Sequence, residues 1–277
     1  MACPCEILVE TNDLALSTEL TQLAFAEARR IEHKFSRYRK DNIIHTINSS
    51  HGECITVDDE TALMLNFAEQ CYELSEGKFD VTSGILRAVW KFDGSDNLPS
   101  QKNIISLLPY IGWNKVSWQS PIICLPEQME IDLGGIGKEY AVDSSVKLLS
   151  EKTAHSFLVN YGGDIACAKP RSHEQPWVIG VDDPANTGEA SAGAISLFQG
   201  GLATSGDARR YLLKDGKRYS HILNPKTGYP VENAPRSVTV IANTCIEAGM
   251  LSTFAMLEGG NAIDFLKAQQ VKYWCIP

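Results

Sequence analysis

Asp132-Leu133-Gly134-Gly135-Ile136-Gly137-Lys138 is the stretch on which the reading of this chain turns. Ile131 to Gly137 predicts a strand running into glycines, and Lys138 to Leu149 then predicts a helix. Closely spaced glycines let backbone N–H groups approach an anion, and a helix N-terminus adds a positive field. The stretch therefore suits a phosphate, and it equally suits a tight turn made for close packing. It is not a Walker A loop, because Asp132 stands at the first glycine's place and Glu139 follows the lysine, and it is not G-x-G-x-x-G.

Working outward from that turn, the pattern is helical before it and strand-rich after it. Leu14 to Phe35 carries apolar residues at helical spacing, with Asn12 or Asp13 placed to cap. A polar loop with Tyr38 and Asn48 follows. A second helix begins at Asp58 or Asp59, with Leu63, Phe67, Cys71 and Leu74 as its stripe. Further helices are expected at Leu86–Phe92, Ile104–Leu108 and Ile246–Leu257. Cys5–Glu10, Phe157–Asn160, Trp177–Val181, Ala194–Phe198, Tyr211–Leu213, Ser237–Ala242 and Val271–Ile276 read as strands. Asn224-Pro225-Lys226-Thr227-Gly228 reads as a turn. This order predicts an α+β fold rather than a regular βαβ series. No linker divides the chain, so residues 1–277 are expected to form one domain.

Composition narrows the function classes. With 44% hydrophobic and 21% charged residues, the 277-residue chain is an ordinary globular one, not a disordered or repetitive one. A net charge of −9 leaves no broad basic footprint for nucleic acid. The longest uncharged run, Ala190 to Gly206, is glycine-rich and short of the ~20 apolar residues of a membrane span. The beginning, Met-Ala-Cys-Pro-Cys-Glu, has no basic or apolar signal region. The eight cysteines fit no C-x-x-C or zinc spacing, and the expectation is reduced cysteines in a cytoplasmic protein. The histidines show no zinc-enzyme spacing either.

Other stretches could join the glycine turn. Thr82-Ser83-Gly84, Thr204-Ser205-Gly206 and Tyr161-Gly162-Gly163-Asp164 read as turns with hydroxyls and open backbone. Each alone is a plain turn, and together they suggest a ligand with several phosphates. His221, between Ser220 and the Asn224-Pro225 turn, is either a packed residue or a positioned base, and its ordinary pKa near 6.5 suits proton transfer.

These residues carry a resemblance. Phe35-Ser36-Arg37-Tyr38, Gly77 to Gly84, Asp132 to Lys138, Asn160 to Ile165, Ala203 to Asp207 and Ser220 to Gly228 resemble, in order, the successive motifs of the ApbE family, the FAD:protein FMN transferases. The resemblance implies a single ApbE-like α+β domain with mixed sheets and flanking helices. It implies an enzyme that uses Mg²⁺ and FAD, moves FMN to a Ser or Thr hydroxyl of an acceptor flavoprotein, and releases AMP. An FAD-binding protein without transfer and an FAD pyrophosphatase are the alternatives. Carried over by position, Met1, Tyr38, Phe79, Asp80, Val81, Asp132 and Lys138 would contact FAD, and His221 would be the base. Gly135, through its carbonyl, and Thr253, through its hydroxyl, would hold Mg²⁺.

The chain departs from the family pattern in three ways. Gly249 stands where an aspartate usually binds metal, Glu139 follows the lysine where glycine is usual, and Met1 lies at the motif's own methionine with no lipoprotein signal ahead of it. The first departure predicts a weak metal site that Gly249→Asp would tighten. Glu247, two residues away on a helix, points about 200° round the axis and is not expected to compensate.

Overall fold

The helices of the first half begin at side-chain caps. In the computed structural model, which describes residues 3–182, 191–207 and 210–277, strand β1 (Cys5–Val9) leads to helix α1 (Leu14–Phe35). Asp13 Oδ1 accepts from the N–H groups of Ala15 and Leu16, satisfying donors that a bare helix start leaves open. Inside the expected polar loop, Asn42 caps a short helix α2 (Ile43–Asn48), whose Ile44 and Ile47 are buried. Strand β2 (Cys54–Thr56) precedes helix α3 (Asp59–Leu74), capped by Asp58. The buried face of α3 runs through Thr61, Met64, Leu65, Ala68 and Cys71, while Leu63 is 58% and Leu74 70% exposed. The expected stripe therefore shared only Cys71 with the fully buried face.

A 3-10 helix (Val81–Ala88), helix α4 (Gln101–Leu107) and strands β3 (Ser117–Gln119) and β4 (Ile122–Cys124) follow. The strand expected at 131–137 does not form: the segment passes through a turn into helix α5 (Gly137–Ser150). Its Asp132 N–H donates to Val81 O at 2.8 Å, so the segment is tied to the 3-10 helix rather than to a ladder.

The rest is mostly sheet. Strands β5 (Phe157–Tyr161), β6 (Asp164–Cys167), β7 (Trp177–Asp182), β8 (Ser191–Leu197), β9 (Gly200–Gly206), β10 (Tyr211–Lys214), β11 (Lys217–Ser220) and β12 (Ser237–Ala242) come first. Helices α6 (Cys245–Leu257) and α7 (Ala262–Ala268) and strand β13 (Lys272–Ile276) close the chain. Six strands form one antiparallel sheet in the order β1-β5-β6-β9-β12-β13. The hairpin β7-β8, the hairpin β10-β11 and the small sheet β2-β4-β3 stand apart from it.

Strand alternation explains why both faces of the large sheet are covered. Phe157, Val159, Tyr161, Ala166 and Ala203 face the main core with α1, α5 and α6. Leu158, Ile165, Cys167 and Leu202 face the other way, onto Trp177 and Leu197 of the β7-β8 hairpin. A third cluster, Leu86, Trp90, Ile104, Ile111 and Leu212, joins the 3-10 helix to α4 and β10. The α+β class expected from the order of elements is the class that forms. Among the described residues no helix is long and apolar enough to cross a membrane.

One expectation about the cysteines is corrected. Cys54 and Cys124 face each other across the β2-β4 pairing and form a disulfide, while six cysteines stay free. Directly opposed strand positions bring two side chains into reach without help from sequence spacing. A thiol titration of denatured, unreduced protein is expected to find six thiols, against eight after reduction. Eight before reduction would remove the bridge.

Candidate active site

The expected site residues leave from separate elements and meet in one groove. Tyr38 follows α1, Phe79, Asp80 and Val81 lead into the 3-10 helix, Asp132 and Gly135 lie in the turn before α5, Lys138 opens α5, His221 follows β11, and Thr253 rides on α6. All nine line a groove of 1160 Å³, above the ~300–1,000 Å³ of ordinary small-molecule pockets. Six basic side chains (Arg37, Lys78, Arg87, Lys91, Lys138, Arg210) line it against four acidic ones, although the whole chain carries −9. A basic lining on an acidic protein suits a phosphate-bearing ligand. Met1 lies outside the described residues.

The turn before α5 is held open by close backbone approach. A Cβ at Gly84 would stand 2.6 Å from Asp132 Cβ, so glycine lets the 3-10 helix lie against the turn. Asp132 pairs with Arg37 and accepts from the Gly134 N–H at 2.9 Å. Arg37 also donates to Tyr38 Oη at 2.9 Å, which orients the 78% exposed tyrosine at the rim. No side chain caps the start of α5, which is how an anion-binding helix end is left available.

Asp80 is placed differently from its neighbours. Its Oδ1 accepts from the N–H (2.8 Å) and hydroxyl (2.6 Å) of Thr82, and its Oδ2 accepts from the Trp113 N–H at 3.0 Å. Burial raises its pKa from the usual carboxylate range, and those bonds oppose the shift. Its carboxylate shapes the wall that carries Phe79 and Val81.

Lys138 and Asp164 form the charged centre, with Nζ 2.7 Å from Oδ2 and Asp164 only 3% exposed. Burial pulls the lysine's pKa down and the Asp164 carboxylate outweighs it, so the net shift is upward. Glu139, next in α5, is pushed up to about 8 by burial and then by Asp164. Its Oε2 is sealed from solvent, and its carboxyl shares a hydrogen bond with that of Asp164.

His221 is a base held in one tautomer. Its Nδ1 lies 3.1 Å from the carbonyl oxygen of Arg210. A carbonyl only accepts, so Nδ1 carries the hydrogen and Nε2 keeps its lone pair. Burial, then the Arg210 charge, brings its pKa down to about 4. Phe92 meets the imidazole edge-on at 6.2 Å and stacks on Trp90 at 5.5 Å, and Trp90 Nε1 donates to Gly228 O at 2.8 Å.

Of the other three expected turns, two change and one forms. Thr82 is buried under Asp80, and Thr204-Ser205-Gly206 is part of β9, not a turn. Thr204 bonds Thr239 (2.8 Å), and Ser205 bonds Ser252 (2.9 Å) and Thr253 (3.0 Å). Tyr161 to Asp164 is the β5-β6 hairpin turn, with both glycines at positive φ. Sequence reading missed Trp90 and Phe92, whose W-x-F spacing carries no periodic signal, and Arg37, which lies beside a residue it did select.

The residues assigned to Mg²⁺ fit that ion in kind. Thr253 offers a hydroxyl, and Gly135 stands exposed at the groove with the Phe79 ring packed beside it. Among the described residues no three His, Cys, Asp or Glu side chains cluster together as a metal site. A Cβ at Gly249 would stand 2.6 Å from Glu139 Cγ. The expectation that Gly249→Asp alone would tighten the site is therefore corrected: the added carboxylate would enter volume that Glu139 fills.

Comparison with known proteins follows the same pattern. The sequence model of the ApbE family matches residues 1–275. An FAD:protein FMN transferase of Haemophilus influenzae is 30% identical over 80% of this chain and 68% of its own length. One from Vibrio cholerae is 30% identical over 88% of this chain and 73% of its own. The crystal structure of the ApbE protein of Thermotoga maritima superposes with a TM-score of 0.87 at 32% identity, covering 99% of this chain and 90% of that one. The flavinyl transferase ApbE of Pseudomonas stutzeri gives 0.82 at 25% identity, covering 98% and 90%.

Proposed function

The chain belongs to the ApbE family and is a transferase, and from that premise we propose that residues 1–277 act as one domain that moves FMN from FAD to a Ser or Thr hydroxyl of an acceptor flavoprotein and releases AMP. The observation that carries this reading is the convergence of Tyr38, Phe79, Val81, Asp132, Lys138, His221 and Thr253, from well-separated segments, on one basic groove.

The residue types match the steps. The acceptor oxygen attacks the phosphorus of the FMN half, the bond to the AMP phosphate breaks, and the hydroxyl proton passes to His221 Nε2. Phosphoryl transfer needs positioning and neutralisation of phosphate charge more than covalent help. Lys138 presents an ammonium to the groove and the uncapped start of α5 adds backbone donors. Arg37 and Asp132 fix the turn between them, and Tyr38 offers a face at the rim on which a flat ring system can stack. Gly135 O and Thr253 Oγ1 would hold Mg²⁺, which when bound neutralises charge on the pyrophosphate oxygens. The cytoplasm is the proposed location, and the Cys54–Cys124 bridge is the feature that weighs against it.

Mass spectrometry of a candidate acceptor protein after incubation with FAD, Mg²⁺ and this protein tests the reading. The expected result is one FMN gained on a Ser or Thr. FAD cleaved to FMN and AMP with the acceptor unlabelled would make the protein a pyrophosphatase, and FAD bound but intact would make it a carrier. Calorimetry is also expected to show tighter binding of FAD than of FMN, because the groove's size and basic lining reward the second phosphate and the adenosine. Equal affinities would count against this site.

A further inference from the structure

Glu139 has no part in the steps above, yet its surroundings are specific. It is the third residue of α5, and its side chain lies against α6 at Gly249. An ideal Cβ at position 249 would stand 2.6 Å from Glu139 Cγ and 3.1 Å from both Cδ and Oε1. Even alanine would collide there, so the glutamate fits only because residue 249 is glycine.

The carboxyl group it brings lies beside another. Oε2 is sealed from solvent, and the side-chain partner of this carboxyl is a second carboxyl, that of Asp164, a pairing of like groups that favours a further positive charge beside them. The neighbouring ammonium, Lys138 Nζ, is drawn to Asp164 Oδ2 at 2.7 Å. One lysine thus faces two carboxyl groups. A glutamate in the first turn of a helix is favourable for the dipole, but the dipole alone gives no reason for a buried oxygen pressed onto another helix.

Helical spacing locates this carboxyl group relative to the oxygens assigned to Mg²⁺. Gly249 and Thr253 are four residues apart on α6 and so share a face, about one turn of ~5.4 Å apart. Gly135 lies four residues before Glu139, at the mouth of α5. The contact between Glu139 and Gly249 therefore lies one helical turn along α6 from Thr253.

We propose that Glu139 supplies the carboxylate ligand of the Mg²⁺ site, reaching from α5 into the space that a side chain at position 249 would otherwise fill. The proposal rests on the reading of the groove as an FAD- and Mg²⁺-dependent site. Two of the departures from the family pattern then become one exchange: glycine followed by a distant aspartate is replaced by Glu139 and Gly249, a longer side chain from one helix and none from the other. One carboxylate, one carbonyl, one hydroxyl and the pyrophosphate oxygens make a donor set of the kind Mg²⁺ takes.

The test uses Mn²⁺, a divalent ion that accepts the same oxygen ligands. Its free-ion electron paramagnetic resonance signal is titrated with protein and FAD, without acceptor, while flavin fluorescence reports FAD binding in the absence of metal. Glu139→Gln is expected to weaken Mn²⁺ binding by ~10–100-fold, the scale seen on disturbing a metal's supporting shell, with FAD affinity unchanged. The double variant Glu139→Gly/Gly249→Asp is expected to return to within a few-fold of the parent. Gly249→Asp alone, which forces two carboxylates into one volume, is expected to lower the melting temperature and not to tighten Mn²⁺. Parent-like Mn²⁺ binding in Glu139→Gln would overturn the proposal and leave the metal site standing. So would a folded double variant that stays weak, because the two positions would then not be interchangeable. Failure of the parent itself to bind Mn²⁺ while FAD binds would overturn both the proposal and the metal reading beneath it.

Discussion

His221→Ala is expected to lower FMN transfer by about 10²–10⁴-fold, the usual contribution of a positioned general base, while FAD stays bound. The imidazole is one contact among many in a groove of this size. Its Nδ1–H is committed to the Arg210 carbonyl, so the lost atom that matters is Nε2. Single-turnover transfer to the acceptor measures the first part and flavin fluorescence the second. A variant that transfers at the parent rate removes His221 from the mechanism. The pH profile gives an independent check. With a pKa lowered to about 4, the imidazole is neutral and able to accept a proton throughout the range above that value. The acid limb of kcat/KM that His221 causes should therefore lie near 4, with no fall centred on 6.5 as the pH is lowered, and the alanine variant should lack it.

Lys138→Met is expected to cost about 10²–10³-fold in FAD turnover, the scale for losing one charge-stabilising donor at a reacting phosphate or carbonyl. It has a second consequence, because Asp164 is 3% exposed and would lose its ammonium. Breaking a fully buried pair costs about 3–5 kcal/mol, and with Lys138 34% exposed the loss here is smaller. Thermal unfolding separates the two effects. Lys138→Met/Asp164→Asn should recover the melting temperature without recovering turnover. If turnover returns with stability, Lys138 is only a counter-charge for Asp164.

The parts of the fold that can be read from sequence are those governed by local rules. Helix α1 follows its apolar spacing, and Asp13 and Asp58 cap α1 and α3 where the sequence places them. The segment before α5 misleads because Ile131-Asp132-Leu133 alternates like a strand while the backbone partner of Asp132 is Val81, 51 residues away in the chain. Hydroxyl-rich Thr204-Ser205-Gly206 looks like a turn until its place between β6 and β12 is known. At the site, residues in family motifs are found by position, whereas the Trp90–Phe92 wall and the fit of Glu139 against Gly249 exist only after folding. Two separately odd residues, one too large and one too small, could be related only by the geometry that stacks them.

The start of α6 has a tie that reaches beyond capping. Thr244 Oγ1 accepts from the Glu247 N–H at 3.2 Å, but the Cys245 and Ile246 N–H groups go to Asp143 of α5, at 2.8 and 2.9 Å. Helix ends ordinarily fray first, and their amides exchange with solvent hydrogen through small local openings. Here fraying of α6 would strand a buried carboxylate on another helix. The amides of Cys245 and Ile246 should therefore exchange slowly, at the rate at which α5 and α6 come apart together. The lysine on one helix and the threonine on the other would then keep their separation through the breathing motions of the surrounding loops, and the groove would open by movement of its Tyr38 and Phe92 walls instead of its floor.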